Sequence, residues 1–277
     1  MRILLTYIRF KTKNSTTFIP LFLNKMNIGL ALSGGGMRGA AHIGAIKALE
    51  EHHIFPTHIA GTSAGAIVGA FYAYGYPWED ILRFFKEINI LDIKKFALNK
   101  PGFIDTEKFY SDFKKYLIND NFSFLKKELS ITSTNILNGQ LEVFNQGELI
   151  RSILASAAIP GVFTPVKLNE NYYIDGGSLN NFPVELLKPT CDKIIGVYVN
   201  TLDSINFKDL KYSHNVIERA YSIKSVREDQ KKFNDCDLIV APNGLSNYGV
   251  FDKNHIDKIF LIGYKAAKDA IAANDNF

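Results

Sequence analysis

The sequence predicts an α/β protein with a mostly parallel sheet between helical layers. Short apolar runs alternate with stretches of helical period along most of the chain. The first run, Asn27–Ser33, is apolar almost throughout and ends in glycines, as a strand covered on both faces should be. Strands separated by helices are the pattern of parallel pairing, because a parallel crossover needs a long connection.

Taken in order, Ala40, Ile43, Ile46, Ala48 and Leu49 form one apolar helical stripe that closes at Glu50-Glu51. His58–Gly61 reads as a second strand and Ala64–Tyr74 as a helix of small residues stopped by Gly75. Pro77 opens another helix, with Glu79 and Asp80 in its first turn. Residues 92–125 are rich in Lys, Phe and Asn and broken at Pro101-Gly102; they read as an insertion, a lid or a cap, with a helix around 105–118. Leu129–Ile136 and Gln140–Asn145 flank Asn138-Gly139, a hairpin signal. A helix at Glu148–Ala158, strands near Tyr172–Ile174 and at Lys193–Asn200, a helix near 213–232, a strand at Asp237–Ala241 and a last helix from Asp252 complete the expectation.

The 277 residues are 47% hydrophobic and 22% charged, enough for a full core without a disulfide or metal. Cys191 and Cys236 stand alone and read as buried, inert thiols compatible with a reducing compartment. Of the net charge of +4, Arg2, Arg9, Lys11, Lys13 and Lys25 contribute five, and no acid accompanies them. The remainder carries 27 basic and 28 acidic side chains, which argues against nucleic acid as a partner. Residues 1–25 therefore read as a basic extension, disordered or upstream of a start at Met26, and 26–277 as a single domain. The apolar stretch Phe18–Leu23 is too short for a secretory signal and contains Pro20, and no later run has membrane-spanning length. The expected location is the cytoplasm, with peripheral contact at a membrane surface as the second reading.

Three motifs carry chemistry. Gly61-Thr62-Ser63-Ala64-Gly65 lies between an expected strand and an expected helix, where a sharp turn projects a serine hydroxyl above the sheet. The helix that follows turns its free N–H groups and positive end toward developing negative charge. Gly34-Gly35-Gly36-Met37-Arg38-Gly39 follows the first strand and also spells the dinucleotide fingerprint. That reading needs an acid at the end of the second strand, which instead ends in Gly61-Thr62-Ser63. The loop is better suited to holding an oxyanion on its backbone amides, with Arg38 orienting the loop, meeting an anionic head group, or simply solvated. Asp175-Gly176-Gly177 follows the Tyr172–Ile174 strand and, taken alone, is a common turn.

A serine nucleophile needs a base. After Asp175 come only His214 and His255, both at expected helix starts; upstream, His42 lies within a helix and His52, His53 and His58 surround Phe55-Pro56. None is well placed, so direct activation of Ser63 by an Asp175 of raised pKa is the better proposal.

These motifs, in this order, resemble those of the patatin-like phospholipases. The segment Ala155–Pro165 also resembles the family's sequence ahead of its aspartate, and the strong likeness covers about residues 28–188. The resemblance implies a three-layer α/β/α patatin-like fold, a Ser63–Asp175 dyad without histidine, and oxyanion donors at Gly34, Gly35 and Gly36. Arg38, Gly39, Gly61, Gly65, Gly176 and Gly177 would support these motifs. The implied activity is hydrolysis of phospholipid or related acyl esters, with no cofactor or metal. A module that binds acyl lipids without turnover is the rival from another class, and a nucleotide-binding protein is the third reading.

Overall fold

A computed structural model describes residues 6–12, 15–21, 26–90, 92–202, 204–274 and 277. Strands β1 (Thr6–Thr12) and β2 (Ser15–Leu21) pair antiparallel as a separate two-stranded sheet. Arg2, Lys13 and Lys25 lie outside the described residues.

The main sheet begins with β3 (Ile28–Leu32), which leads through a 3-10 turn at Gly36–Gly39 into α1 (Ala40–Glu51). β4 (His58–Thr62), α2 (Ala64–Tyr74) and α3 (Trp78–Glu87) follow. A 3-10 turn at Thr106–Phe109 and the short α4 (Tyr110–Lys114) then lead to β5 (Glu128–Asn135) and β6 (Leu141–Phe144). Next come α5 (Leu149–Ser156), β7 (Val166–Leu168), β8 (Asn171–Asp175) and β9 (Lys193–Val197). The chain closes with α6 (Ser213–Lys231), β10 (Leu238–Val240) and α7 (Ile256–Ala272). Strands β10, β9, β3, β4 and β5 are successive parallel neighbours, while β6, β7 and β8 add antiparallel pairs.

Alternation along the strands divides the core in two. Leu30, Leu32, Ile59, Ile195 and Val197 face a large cluster with α1, α2, α3, α5 and α7. Ala31, Ala60, Ile194 and Tyr198 face a smaller one closed by Phe182, Val184, Leu187 and Val226 of α6. The sheet thus lies between two covering layers, one much thinner than the other.

The helix expected over 105–118 is shorter than its periodicity suggested. Phe113 and Tyr116 turn inward onto Phe84, at ring separations of 5.0 and 5.3 Å, and this aromatic packing overrides local helical preference. Cys191 and Cys236 are free and half-buried rather than fully buried. Burial pushes the Cys236 thiol up to about 12, which leaves it unreactive near neutral pH.

Candidate active site

The site forms where two strands meet end to end. Thr132 of β5 pairs with Thr62 of β4 and with Val143 of β6. Ser133, the next residue, pairs with Asp175 of β8 and with Glu142 of β6. A strand residue has two edges, and β6 takes one of them at both positions. β4 and β8 therefore share the other edge, and their C-terminal ends abut at the Thr132–Ser133 step. Ser63 follows directly on β4, and Asp175 ends β8.

The two side chains meet there. Ser63 Oγ donates to Asp175 Oδ2 at 2.6 Å, and both residues are buried. Gly177 N donates to Asp175 Oδ1 at 2.7 Å, which fixes the carboxylate plane. Burial raises the Asp175 pKa from 3.8 to about 6, against the lowering effect of the bonds from Ser63 and Gly177. The carboxylate is thus a stronger base than an exposed aspartate and is still mostly ionised at neutral pH.

Ser63 adopts φ 53° and ψ −120°, a conformation that costs a side-chain-bearing residue on the order of 1–3 kcal/mol. The surroundings impose it. A Cβ on Gly65 would stand 2.2 Å from the Leu32 carbonyl oxygen, and one on Gly61 would stand 2.5 Å from that of Gly65. The turn therefore closes only with glycine at both positions. The hydroxyls of Thr62 and Thr132 touch at 2.5 Å, and Thr62 Oγ1 donates to Asn180 O at 2.9 Å, tying the elbow to the chain that follows Asp175.

The glycine loop divides unevenly. Gly34 N donates to Asn181 O at 3.0 Å, so the first of the three expected oxyanion amides is already engaged. Among the described residues, no acceptor takes the amides of Gly35 or Gly36, and the first-turn amide of Ala64 heads α2 beside them. The amide of Ser63 itself is held by Ser156 Oγ at 2.8 Å. Arg38 is buried rather than solvated. Its Nε donates to Tyr248 O at 2.7 Å and its Nη1 to Asn200 Oδ1 at 3.2 Å, fastening the loop to the C-terminal third of the chain.

Sequence reasoning missed a further chain of contacts. Asn181 Nδ2 donates to Asp229 Oδ2 at 3.0 Å, and that oxygen also accepts from Tyr198 and Ser225. Asn181 lies within reach of the Asp-Gly-Gly motif, but no local pattern announces a partner 48 residues away. Ser156 belongs to the Ala155–Pro165 segment that the resemblance noted without giving it a role.

Among the described side chains, no histidine bonds to Ser63. His42 Nε2 meets Ser33 O at 2.8 Å, and burial lowers its pKa to about 4, so it is neutral. His255 pairs with Asp252, and the side chain of His214 lies outside the described residues. Beside Ser63 opens a crevice that is apolar almost throughout, formed by Gly36, Met37, Ile67, Phe84, Phe163 and Phe251 among others.

A mostly parallel α/β sheet, a serine on a strained strand-to-helix turn and a buried aspartate bonded to it give this α/β protein the geometry of a nucleophile elbow. A family profile described as "Patatin-like phospholipase" matches residues 30–188, more than half of the chain, and the chain belongs to that family. Lysophospholipase NTE1 of Meyerozyma guilliermondii is 29% identical over 295 residues, covering 93% of this chain and 20% of that protein. Lysophospholipase NTE1 of Scheffersomyces stipitis is 32% identical over 290 residues, covering 92% of this chain and 18% of that protein. The chain spans about a fifth of the length of these curated relatives. Among solved structures, VipD from Legionella pneumophila shares the fold with a TM-score of 0.56 at 15% identity, covering 97% of this chain and 70% of that one. No helix of the described residues is long and apolar enough to cross a membrane.

Proposed function

We propose that this chain is a serine acyl-hydrolase that cleaves lipid esters through a Ser63–Asp175 dyad. The carrying observation is the 2.6 Å bond from Ser63 Oγ, in the lining of an apolar crevice, to a buried Asp175. Ionised Asp175 takes the hydroxyl proton as Ser63 Oγ attacks the acyl carbonyl carbon. The carbonyl oxygen becomes an oxyanion held by the amides of Gly35, Gly36 and Ala64, with the positive end of α2 adding to the field. When the tetrahedral intermediate collapses, the alcohol leaves with the proton from Asp175, and Ser63 carries the acyl group. Water then attacks this ester, giving its proton to Asp175; as the second intermediate collapses Asp175 returns that proton to Ser63 Oγ, and the acid departs.

The apolar lining suits an acyl chain and offers little to the base and sugar of a nucleotide. Two curated relatives carry the name lysophospholipase, so single-chain phospholipids are the first substrates to assay. The test pairs a fluorophosphonate probe with mass spectrometry of the Ser63 peptide. Labelling at Ser63, lost in Ser63→Ala together with release of fatty acid from lysophosphatidylcholine, is the expected result. Lipid binding without labelling would instead make the chain a non-catalytic lipid module.

A further inference from the structure

We infer that residues 96–103 form a docking tip that inserts into an anionic lipid surface and seats the mouth of the Ser63 crevice on it; this rests on the reading of the chain as a lipid acyl-hydrolase. The segment is a narrow excursion rather than a loose loop. Ala97 N donates to Phe103 O at 2.9 Å, Asp105 N donates to Lys95 O at 2.7 Å, and Phe96 bridges Ile104 in antiparallel fashion. At the end of this excursion Leu98 is 82% exposed, Phe103 71% and Phe96 44%. Three large apolar side chains held together in water by an ordered backbone mark a contact surface, not a core that failed to close.

The charge around the tip selects the occupant. Residues 93–104 contain Lys94, Lys95 and Lys100 and no acid. Lys108 Nζ bonds the carbonyl oxygens of Lys94 and Phe96, each at 3.0 Å, which places its charge at the base of the tip without neutralising it. Lys253 Nζ likewise bonds Ile88 O at 2.8 Å, and Ile88 lines the crevice. Lys95 and Lys100 are paired with Asp112 and Asp105. Set against Asp92, which accepts from the Lys94 amide, Lys94, Lys108 and Lys253 leave a positive surplus. Exposed apolar side chains with cations near their base match the boundary between acyl chains and anionic head groups.

The seat of the tip connects it to the chemistry. Phe103 N and Ile104 N both donate to Val162 O at 2.9 Å, and Thr164 N donates to Ile104 O at 2.9 Å. Phe163, between those two positions, lines the crevice with Ser63. A lipid leaving the surface beside the tip therefore meets the crevice within a few residues of the anchor.

The test uses the full chain and co-sedimentation with phosphatidylcholine vesicles, with and without roughly 30% phosphatidylglycerol. Wild type and Ser63→Ala should bind the anionic vesicles equally. Leu98→Asp/Phe103→Asp should lose at least about tenfold in binding while its turnover of a soluble short-chain ester stays at the wild-type level. Lys94→Glu should weaken binding to anionic vesicles and leave the weak binding to neutral ones unchanged. Soluble-ester turnover reports that the double variant is folded; should it be lost, Leu98→Ala/Phe103→Ala replaces that variant with the same expectation. Failure of wild type to bind anionic vesicles, or wild-type binding by the tip variant, overturns the inference. Vesicle binding without ester turnover by wild type would leave the docking tip standing and sink the hydrolase reading.

Discussion

At the end of β4 the backbone leaves no slack: a methyl group on Gly65 would press into the Leu32 carbonyl, Ser63 sits at positive φ, and its amide and hydroxyl each have one fixed partner. At residues 96–103 main-chain bonds close the excursion at its base, yet Leu98 and Phe103 face outward. The first region is specified from within, by close approach of main chain to main chain. The second is specified by what lies outside the molecule. Substitutions should therefore act on stability and chemistry together in the first region, and on neither in the second.

The largest effect is expected from Gly65→Ala. With its Cβ 2.2 Å from Leu32 O, 2.6 Å from Leu32 C and 2.7 Å from Ser33 O, no flexible side chain can yield. Loss of more than about 3 kcal/mol in urea unfolding is expected, with turnover gone. A variant that keeps wild-type stability and rate would show that the elbow can relax, and the comparison would fail.

Asp175→Asn comes next. Turnover should fall by about two to four orders of magnitude, because asparagine can accept the Ser63 bond but not the proton. In wild type, turnover should rise with pH through about 6 as Asp175 ionises, and that limb should vanish from the residual rate of the variant. Stability carries the opposite sign. The folded pKa is raised, so between about pH 4 and 6 the folded state holds a proton that the unfolded chain has released. Wild-type stability should decline across that window by up to about 3 kcal/mol relative to Asp175→Asn and level off above it. Parallel melting curves at pH 4 and pH 7 would check this.

Asp229→Asn tests the chain from α6 through Asn181 to Gly34. About a tenfold loss of turnover, with fluorophosphonate labelling slowed in proportion, is expected if Asn181 holds the loop in place. An unchanged rate with lowered stability would reduce the contact to packing. The smallest effect belongs to the outward-facing region: Leu98→Ala should alter unfolding free energy by no more than about 0.5 kcal/mol. A larger loss would mean that Leu98 packs against the protein after all.

The sequence showed most of what is locally encoded. The sheet's parallel half, α1 and α2 were visible as apolar runs and an apolar stripe bounded by glycines or charges, and Gly61 and Gly65 marked the elbow because only glycine fits there. What stayed hidden depends on partners far along the chain. Gly34 looks identical to Gly35 and Gly36 in sequence, and only the carbonyl of Asn181 distinguishes its amide from theirs. Asp229 reads as one more charge on a polar helix until Tyr198, Ser225 and Asn181 close around it. The three-residue β7 is too short to produce an alternation, and α4 is shortened by aromatic contacts that no window along the chain contains.

The abutment of β4 and β8 on a single edge of β5 has a consequence for how this scaffold tolerates change. Ser63 and Asp175 are 112 positions apart in sequence, but the distance between them is measured by one peptide step, from Thr132 to Ser133. A loop between the strands that carries no core side chain, such as the β5–β6 turn, can lengthen or shorten without resetting that ruler, provided β5 and Ser156 stay in place. Loop length and chemistry are thus mechanically decoupled, and lengthening the turn between Ile136 and Gln140 is the direct way to use that independence.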